Sequence, residues 1–500
     1  VNLGLLPLFA DEPTRAVVAL EMMYSENYWV PTINGDYYYR KPPFYNWIIV
    51  ALFQTSGSMS EFIIRLPSVV PLFLFGFTIY WWSKNFISKN MAFLAAAMFV
   101  TCGRMLIYAS FIGHIDIFYS WVTFLSFICL IESGKKEKWW QFFVISYLLS
   151  AIAFLCKGLP TVAFQGISII TILLVLKRFR IFFSVPHLVG ILIFLIPVGG
   201  YFLKYSEYND LMGWVEELWS QSAQRTPQDK PWHETVTHLF MFPVEHLYHL
   251  APWSLFAVFL FRKDLKSTLI QNFNIKLITI LFLANLPIYW LSPGYYPRYL
   301  FMLYPLLFII MAYSYEKSTN KKLKAWVFHF FIGLGILLII GTLLIYFLPD
   351  VGVAFSALQC LIISAVALLA LVLLRSKITS KLIGMVVLLA AFRLLFNWVV
   401  MPDRLASGNT GVYRADAVRI AKQTGQNSVK LLHGVPMNHD STFYIERETG
   451  EILNRTMGKD TFKYKIAIRP YVKIIPNGQA VDSMTIRHGH KRLYLIKHKD

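Results

Sequence analysis

Residues Asp11–Pro43 read DEPTRAVVALEMMYSENYWVPTINGDYYYRKPP, a polar stretch that opens on D-E-P-T-R and closes on R-K-P-P. The body that follows is almost all hydrocarbon, so two acids and several bases stand where a membrane-embedded protein could use them. That placement points to chemistry at a membrane surface. Pro13 suits the first turn of a helix and Glu12 its cap. Val17, Val18, Leu20, Glu21 and Tyr24 then describe a short amphipathic helix expected to lie on the bilayer. Asn34-Gly35-Asp36 reads as a tight turn, and Pro42-Pro43 delays any helix until Phe44. The stretch is expected to be ordered.

Composition extends this reading. Of 500 residues 56% are hydrophobic, with a mean hydropathy of +0.51, far more apolar side chain than a soluble core of this size needs. A helix crossing a bilayer takes roughly 20 apolar residues. Candidate spans are Phe62–Trp82, Met91–Phe111, Ile117–Ile131, Gln141–Cys156, Leu159–Leu176, Phe182–Leu203, Ala251–Phe261, Leu277–Leu291, Tyr299–Tyr315, Trp326–Leu348, Val353–Leu374 and Leu382–Val400. Val1–Phe9, too short to cross and without an initiator Met, reads as the end of a further span, for about 13 in all. No cleavable signal peptide is visible. Cys102, Cys129, Cys156 and Cys360 all fall within or at the ends of apolar spans and read as buried small residues, not as a disulfide framework or zinc site.

Lys and Arg fix the expected orientation. One set of short loops holds Lys84 and Lys89, then Lys135, Lys136 and Lys138, and further clusters at residues 177–180, 262–276, 317–324 and 375–381. The opposite set, outside the tail, has Arg15, Arg40, Lys41, Lys157, Arg225, Lys230 and Arg298. The first set is expected to be cytoplasmic, and the loop at 10–61 to face outward. Most of the net charge of +19 follows from this pattern, with no nucleic-acid partner implied.

Two domains are expected. Residues 1–400 form the transmembrane module, with long outward loops at 10–61 and 205–250. The second loop is rich in aromatics and is expected to cover the outward cavity. Residues 401–500 carry a net charge of +8. Short Val, Ile and Leu runs at Val429–Leu432, Lys465–Ile468, Val472–Ile475 and Leu493–Ile496, with a helix over Val412–Lys422, predict a small soluble α/β domain on the outer side. Neither an internal repeat nor a low-complexity tract is present.

D-E-P-T-R at 11–15, G-D-Y-Y-Y-R-K-P-P-F at 35–44, R-L-P-S at 65–68, H-I-D at 114–116, C-K-G at 156–158 and P-R-Y-L-F-M-L-Y-P at 297–305 give the chain a family likeness. Together they resemble the ArnT and protein-mannosyltransferase type of GT-C membrane glycosyltransferase (glycosyltransferase families 39 and 83). The similarity covers about the first 310 residues and extends in topology to the tail. It implies a GT-C fold and a polyprenyl-phosphate-linked sugar donor. It further implies transfer, with inversion, to an acceptor (a lipid A-like glycolipid, a glycan or a protein) at the outer face of the cell inner membrane. By the same resemblance Asp11 matches the first-loop catalytic aspartate, Asp116 the second acidic position, and Lys41 the lysine that approaches the lipid phosphate. Arg40 stands where many relatives have Glu, which removes a possible ligand for a divalent metal.

Residue chemistry fits these roles. Transfer from a phosphate needs a carboxylate to activate or orient the incoming hydroxyl and cations to steady the departing phosphate. Asp11 and Asp116 are the candidate catalytic carboxylates, and Lys41, Arg298, Lys157 and Arg225 the candidate phosphate-binding cations, with Glu12 and Arg40 in support. The bland readings are a helix cap for Asp11 and Glu12, an ordinary cap for Asp116, and headgroup snorkelling for the cations. His246 and His249, three apart beside Glu245, are weak candidates for a divalent metal, with interfacial histidines as the plainer reading. A lipid or sugar transporter, or flippase, is the rival class. It calls for charged or broken helices near the midplane and often a repeat, and neither stands out.

Overall fold

A run of apolar residues long enough to cross hydrocarbon has no better option than to satisfy its backbone within a helix, and the described long apolar helices before Ser407 obey this constraint. The computed structural model describes residues 2–223, 232–347, 355–425, 427–457, 462–469, 475, 478–487 and 492–498. Among them, eight helices are long and apolar enough to span a membrane, or nine if one bent pair counts as a span. The protein is a multi-pass membrane protein. Arg225 and most of the R-T-P-Q-D-K-P-W segment lie outside the described residues, as do residues 472–474 of the expected Val472–Ile475 strand.

The N-terminal half carries α1 (Glu12–Tyr24), α2 (Phe44–Ser56), α3 (Glu61–Ser83), α4 (Lys89–Thr101), α5 (Gly103–Ile107), α6 (Ile115–Lys135) and α7 (Trp139–Lys157). Several spans differ in detail from the sequence reading. The segment Met91–Phe111 breaks at Cys102 with a bend of 41°. Leu159–Leu176 and Tyr299–Tyr315 contain helices of 16 and 14 residues, Pro160–Val175 and Tyr304–Lys317. Ala251–Phe261 is not a span: Trp253–Leu260 is an eight-residue 3-10 helix, whose rise of about 2 Å per residue covers only half the hydrocarbon thickness. Residues 2–9 form turns and extended chain, with Leu8 fully buried and its backbone N–H donated to the Tyr444 hydroxyl at 2.9 Å.

α1 does not lie on the bilayer as its sequence suggested. It is buried almost all round, Arg15 through Met22 included, because it is sandwiched between α2 and the His439–Thr449 helix of the C-terminal region. The turn reading holds. β1 (Thr32–Ile33) and β2 (Asp36–Tyr37) pair antiparallel around Asn34 and Gly35, both with positive φ, 56° and 77°, as a two-residue hairpin requires. α2 starts at Phe44, directly after the double proline.

Beyond Ser407 the chain leaves its long apolar helices. The Asn409–Thr424 and His439–Thr449 helices accompany β3 (Val429–Leu432), β4 (Arg455–Thr456), β5 (Tyr464–Ile468), β6 (Gly478–Thr485) and β7 (Arg492–His498). They form one five-stranded sheet in the order β4-β3-β5-β7-β6. β3 runs parallel to β4 and β5, and β7 antiparallel to β5 and β6. The small C-terminal sheet region expected from the alternating runs is present; β4, β6 and the His439–Thr449 helix are additions to it.

This region grips the first loop with polar contacts, most of them buried. The Asn34 amide donates to Thr442 Oγ1 at 3.1 Å and to the Leu453 carbonyl at 3.4 Å. Arg455 pairs with Asp36 at 2.8 Å. Tyr444 donates to Glu61 at 3.0 Å. The carboxyls of Glu21 and Glu446 lie close enough for each to act on the other's charge, and Glu21 accepts from Thr32 Oγ1 at 2.6 Å.

Candidate active site

Glu12 and Arg65 set the floor of the site. Neither side chain has any exposure, and Arg65 donates to both carboxylate oxygens of Glu12, at 2.7 and 3.1 Å. Glu12 also accepts from the backbone N–H of Gly113 at 2.7 Å and of Phe9 at 3.1 Å. Its carboxylate therefore ties α1 to α3 and to the chain entering α6, and does not cap its own helix. A side chain at Gly113 would meet the Ile64 carbonyl at 3.0 Å and Glu12 at 3.2 Å, so glycine permits this close approach. Ser68, one turn beyond Arg65, donates to the His114 carbonyl at 2.7 Å. Thus the R-L-P-S segment fixes the turn that delivers His114 and Asp116.

Above this floor lies a polar cavity of about 770 Å3, into which the sequence candidates converge: Asp11, Asp116, Lys41, Arg298, Lys157 and Arg40 all line it. Arg298 is the central link. Its guanidinium hydrogen-bonds the Asp11 carboxylate and lies with Nε 3.3 Å from Asp116 Oδ2, although that N–H is not aimed well enough for a hydrogen bond. Lys157, at the C-terminal end of α7, donates to the other oxygen of Asp116, and its ammonium stands 4.0 Å from the Tyr299 ring centre. Asp116 is therefore held between two cations with its side chain 4% exposed, whereas Asp11 is 61% exposed on the open side. A buried carboxylate so placed needs both charges, since a buried ion left unpaired is costly.

The remaining wall was not anticipated as a unit. Arg15 is buried and donates to the Tyr38 hydroxyl and to Asn46 Oδ1 at 3.5 Å, both neutral partners. Glu217, from the Met212–Ala223 helix, pairs loosely with Arg40 at 3.5 Å, so the second long loop contributes a lining residue. His439 enters from the C-terminal region. His114 is buried and rests against Tyr108, ring centres 5.9 Å apart, with Nε2 unpartnered among the described residues. Burial first, and then the Arg298 charge, lower its proton affinity, so its imidazole is neutral at neutral pH.

His246 and His249 lie apart from this cavity. His249 lines a second, largely apolar cavity of about 730 Å3, together with Arg104, Tyr108, Leu334, Leu388 and Phe392, and accepts or donates at 3.2 Å with Glu245. His246 gives its Nδ1 to the Phe242 carbonyl at 2.7 Å, and burial drives its pKa down to about 4. Among the described residues no three His, Cys, Asp or Glu side chains converge as metal ligands. In the polar cavity an arginine stands between the two aspartates. The apolar cavity meets the polar one across the Tyr108–His114 stack.

A polytopic helical body whose loops and C-terminal α/β region enclose an acid–base cavity is the GT-C architecture. The chain superimposes on the crystal structure of ArnT from Cupriavidus metallidurans bound to undecaprenyl phosphate, with a TM-score of 0.71 and 16% identity, covering 99% of this chain and 95% of that one. For the apo ArnT structure the TM-score is 0.69 at 15% identity, with the same coverage. The family model for dolichyl-phosphate-mannose-protein mannosyltransferase matches residues 40–201. In sequence the chain is 22% identical over 350 residues to the undecaprenyl phosphate-alpha-4-amino-4-deoxy-L-arabinose arabinosyl transferase of Shewanella sediminis, a match that takes in 68% of this chain and 57% of that relative. The resemblance to the ArnT and protein-mannosyltransferase type is borne out in fold and in family model.

Proposed function

We propose that the protein is a glycosyltransferase that moves a sugar from a polyprenyl-phosphate donor to an acceptor at the outer face of the cell inner membrane. The observation that carries this reading is Arg298 bridging Asp11 and Asp116 on the wall of a polar cavity that adjoins an apolar one. Such a pair of compartments suits a lipid-linked sugar: the polyprenyl chain lies among Leu334, Leu388 and Phe392, and the sugar phosphate lies in the polar chamber. The relative named for undecaprenyl-phosphate arabinose and the structure holding undecaprenyl phosphate support that donor class.

In this reading the acceptor hydroxyl attacks the anomeric carbon in line, the bond from that carbon to the phosphate oxygen breaks, and the polyprenyl phosphate departs. Asp11, the more exposed carboxylate, takes the proton of the acceptor. Asp116, locked by Lys157 and Arg298, positions that reacting group. Lys41 and Arg298 offset the charge developing on the phosphate, with Arg225 as an added candidate cation. Lys157 acts by holding Asp116 as well as by adding charge. The excess of Lys and Arg in the loops at the opposite end of the bundle supports a cytoplasmic position for that end, and with it an outward-facing cavity and C-terminal region.

The test is to supply detergent-purified protein with a panel of radiolabelled undecaprenyl- and dolichyl-phosphate sugars and a membrane lipid extract, with and without chelator. Sugar transfer from one donor class supports the reading and shows whether a divalent metal takes part. Folded protein that neither hydrolyses nor transfers from any donor contradicts it.

A further inference from the structure

His439 is the first residue of the His439–Thr449 helix and belongs to the C-terminal region, yet it lines the same cavity as Asp11 and Arg298. We propose that His439 is a specificity-determining residue for the acceptor, its Nε2 hydrogen-bonding an acceptor hydroxyl; this rests on the glycosyltransferase reading above.

Geometry fixes one edge of the ring and leaves the other for a ligand. Nδ1 meets Thr14 Oγ1 at 2.8 Å, and Thr14 lies three residues after Asp11 on α1, so the imidazole is oriented by the segment that carries the candidate base. Nε2 has no protein partner among the described residues. The helix carrying His439 packs on α1 and is tied to the β1–β2 hairpin by Asn34 with Thr442 and to the segment before α1 by Tyr444 with Leu8. A ring held this firmly is preorganised for binding.

The chemistry selects the ligand. Partial desolvation in the cavity wall, then the charges of Arg15 and Arg40, lower the proton affinity of His439, whose side chain still reaches solvent, so the ring is neutral at neutral pH. A neutral imidazole has one donor and one acceptor nitrogen. With Nδ1 committed to Thr14, Nε2 offers whichever function the tautomer leaves it. A hydroxyl both donates and accepts, and so satisfies either. Position selects the acceptor over the donor: the cations assigned to the donor phosphate, Lys41 and Arg298, belong to the membrane body, whereas His439 comes from the sheet region beyond it. The C-terminal region is then part of the acceptor site and more than a brace.

The experiment compares His439→Asn, His439→Gln and Thr14→Val in steady-state transfer, in mixed micelles, from whichever radiolabelled undecaprenyl- or dolichyl-phosphate sugar of the panel above is used to the membrane lipid that receives its label, with each substrate varied in turn. Asn keeps an amide near the Nδ1 position and removes Nε2; Gln carries its amide to the Nε2 position. Loss of one such hydrogen bond predicts a rise of about three- to tenfold in the acceptor KM for His439→Asn, with the donor KM unchanged. His439→Gln restores most of the difference, and Thr14→Val changes the acceptor KM less than His439→Asn. An unchanged acceptor KM, a parallel rise in donor KM, or equal effects of Thr14→Val and His439→Asn would overturn the proposal and leave His439 a docking contact. Absence of hydrolysis or transfer by the unmodified folded protein with every donor of that panel would instead overturn the glycosyltransferase reading, and this inference with it.

Discussion

Arg65 holds the Glu12 carboxylate by two hydrogen bonds in a setting where neither side chain is exposed. The pair also takes the Leu3 and Pro7 carbonyls and the Gly113 N–H into one network, so Asp11 and Asp116 inherit their relative positions from it. Removing one partner leaves a buried charge without its counter-ion, at a cost of about 3–5 kcal/mol. Arg65→Ala is expected to lower the thermal midpoint in detergent strongly and to abolish transfer. Replacing both members with apolar residues, as in Glu12→Leu with Arg65→Met, is expected to recover part of the midpoint. A single-variant midpoint equal to the parent's would contradict this account of the network.

Arg298 spans two carboxylates with one planar group, which a lysine ammonium cannot imitate. Arg298→Lys is therefore expected to keep the fold but weaken donor use. At about 1.5–3 kcal/mol for a hydrogen bond between charged groups, the change amounts to roughly a tenfold or greater fall in kcat/KM for the donor. Steady-state kinetics with varied donor measure it.

The Glu21–Glu446 contact predicts a pH dependence of stability. Burial raises the proton affinity of both carboxyls, most for Glu446, to which the Glu21 charge adds. The native pair thus keeps a proton that the unfolded chain has lost once pH exceeds the ordinary carboxyl range. The stability it contributes is full below that range and is lost as pH rises through the raised native value. Glu446→Gln removes one of the two titrating groups, and is expected to flatten the decline of the thermal midpoint with rising pH. A variant and parent with superimposable pH profiles would refute this role.

Gly35 has φ of +77°, and a methyl there would run into the Asn454 side chain of the C-terminal region. Gly35→Ala is expected to cost about 1–3 kcal/mol through backbone strain and the displaced contact, read as faster proteolytic cleavage near residues 401–409. Cleavage at the parental rate would contradict the packing described for the hairpin.

Much of this was legible in the chain because the chemistry sits in loops between apolar helices. Asp11, Lys41, Asp116, Lys157 and Arg298 stand out as charges beside hydrocarbon, and their common side follows from the alternation of spans; the structure brings all five to one cavity. His439 gave no signal, since its position depends on how the His439–Thr449 helix docks on α1, a contact more than four hundred residues apart in sequence. Arg15 was visible only as one more outward charge. The amphipathic pattern of α1 was genuine, but the polar face it presents meets Asn46, Thr32 and Glu446 instead of water. Ala251–Phe261 shows the limit of hydropathy, because its apolar residues fit a short 3-10 helix that buries Trp253, Phe256 and Phe259 against the protein as well as they would fit lipid.

The most direct test of the central claim is transfer from a radiolabelled undecaprenyl-phosphate sugar by purified Asp11→Asn beside the parent, with thermal midpoints measured on the same preparations. The account predicts equal midpoints within the error of the scan and a loss of at least a hundredfold in transfer rate, the scale of general base catalysis. Full transfer by folded Asp11→Asn would remove Asp11 from the chemistry and contradict the reading of the cavity built on it.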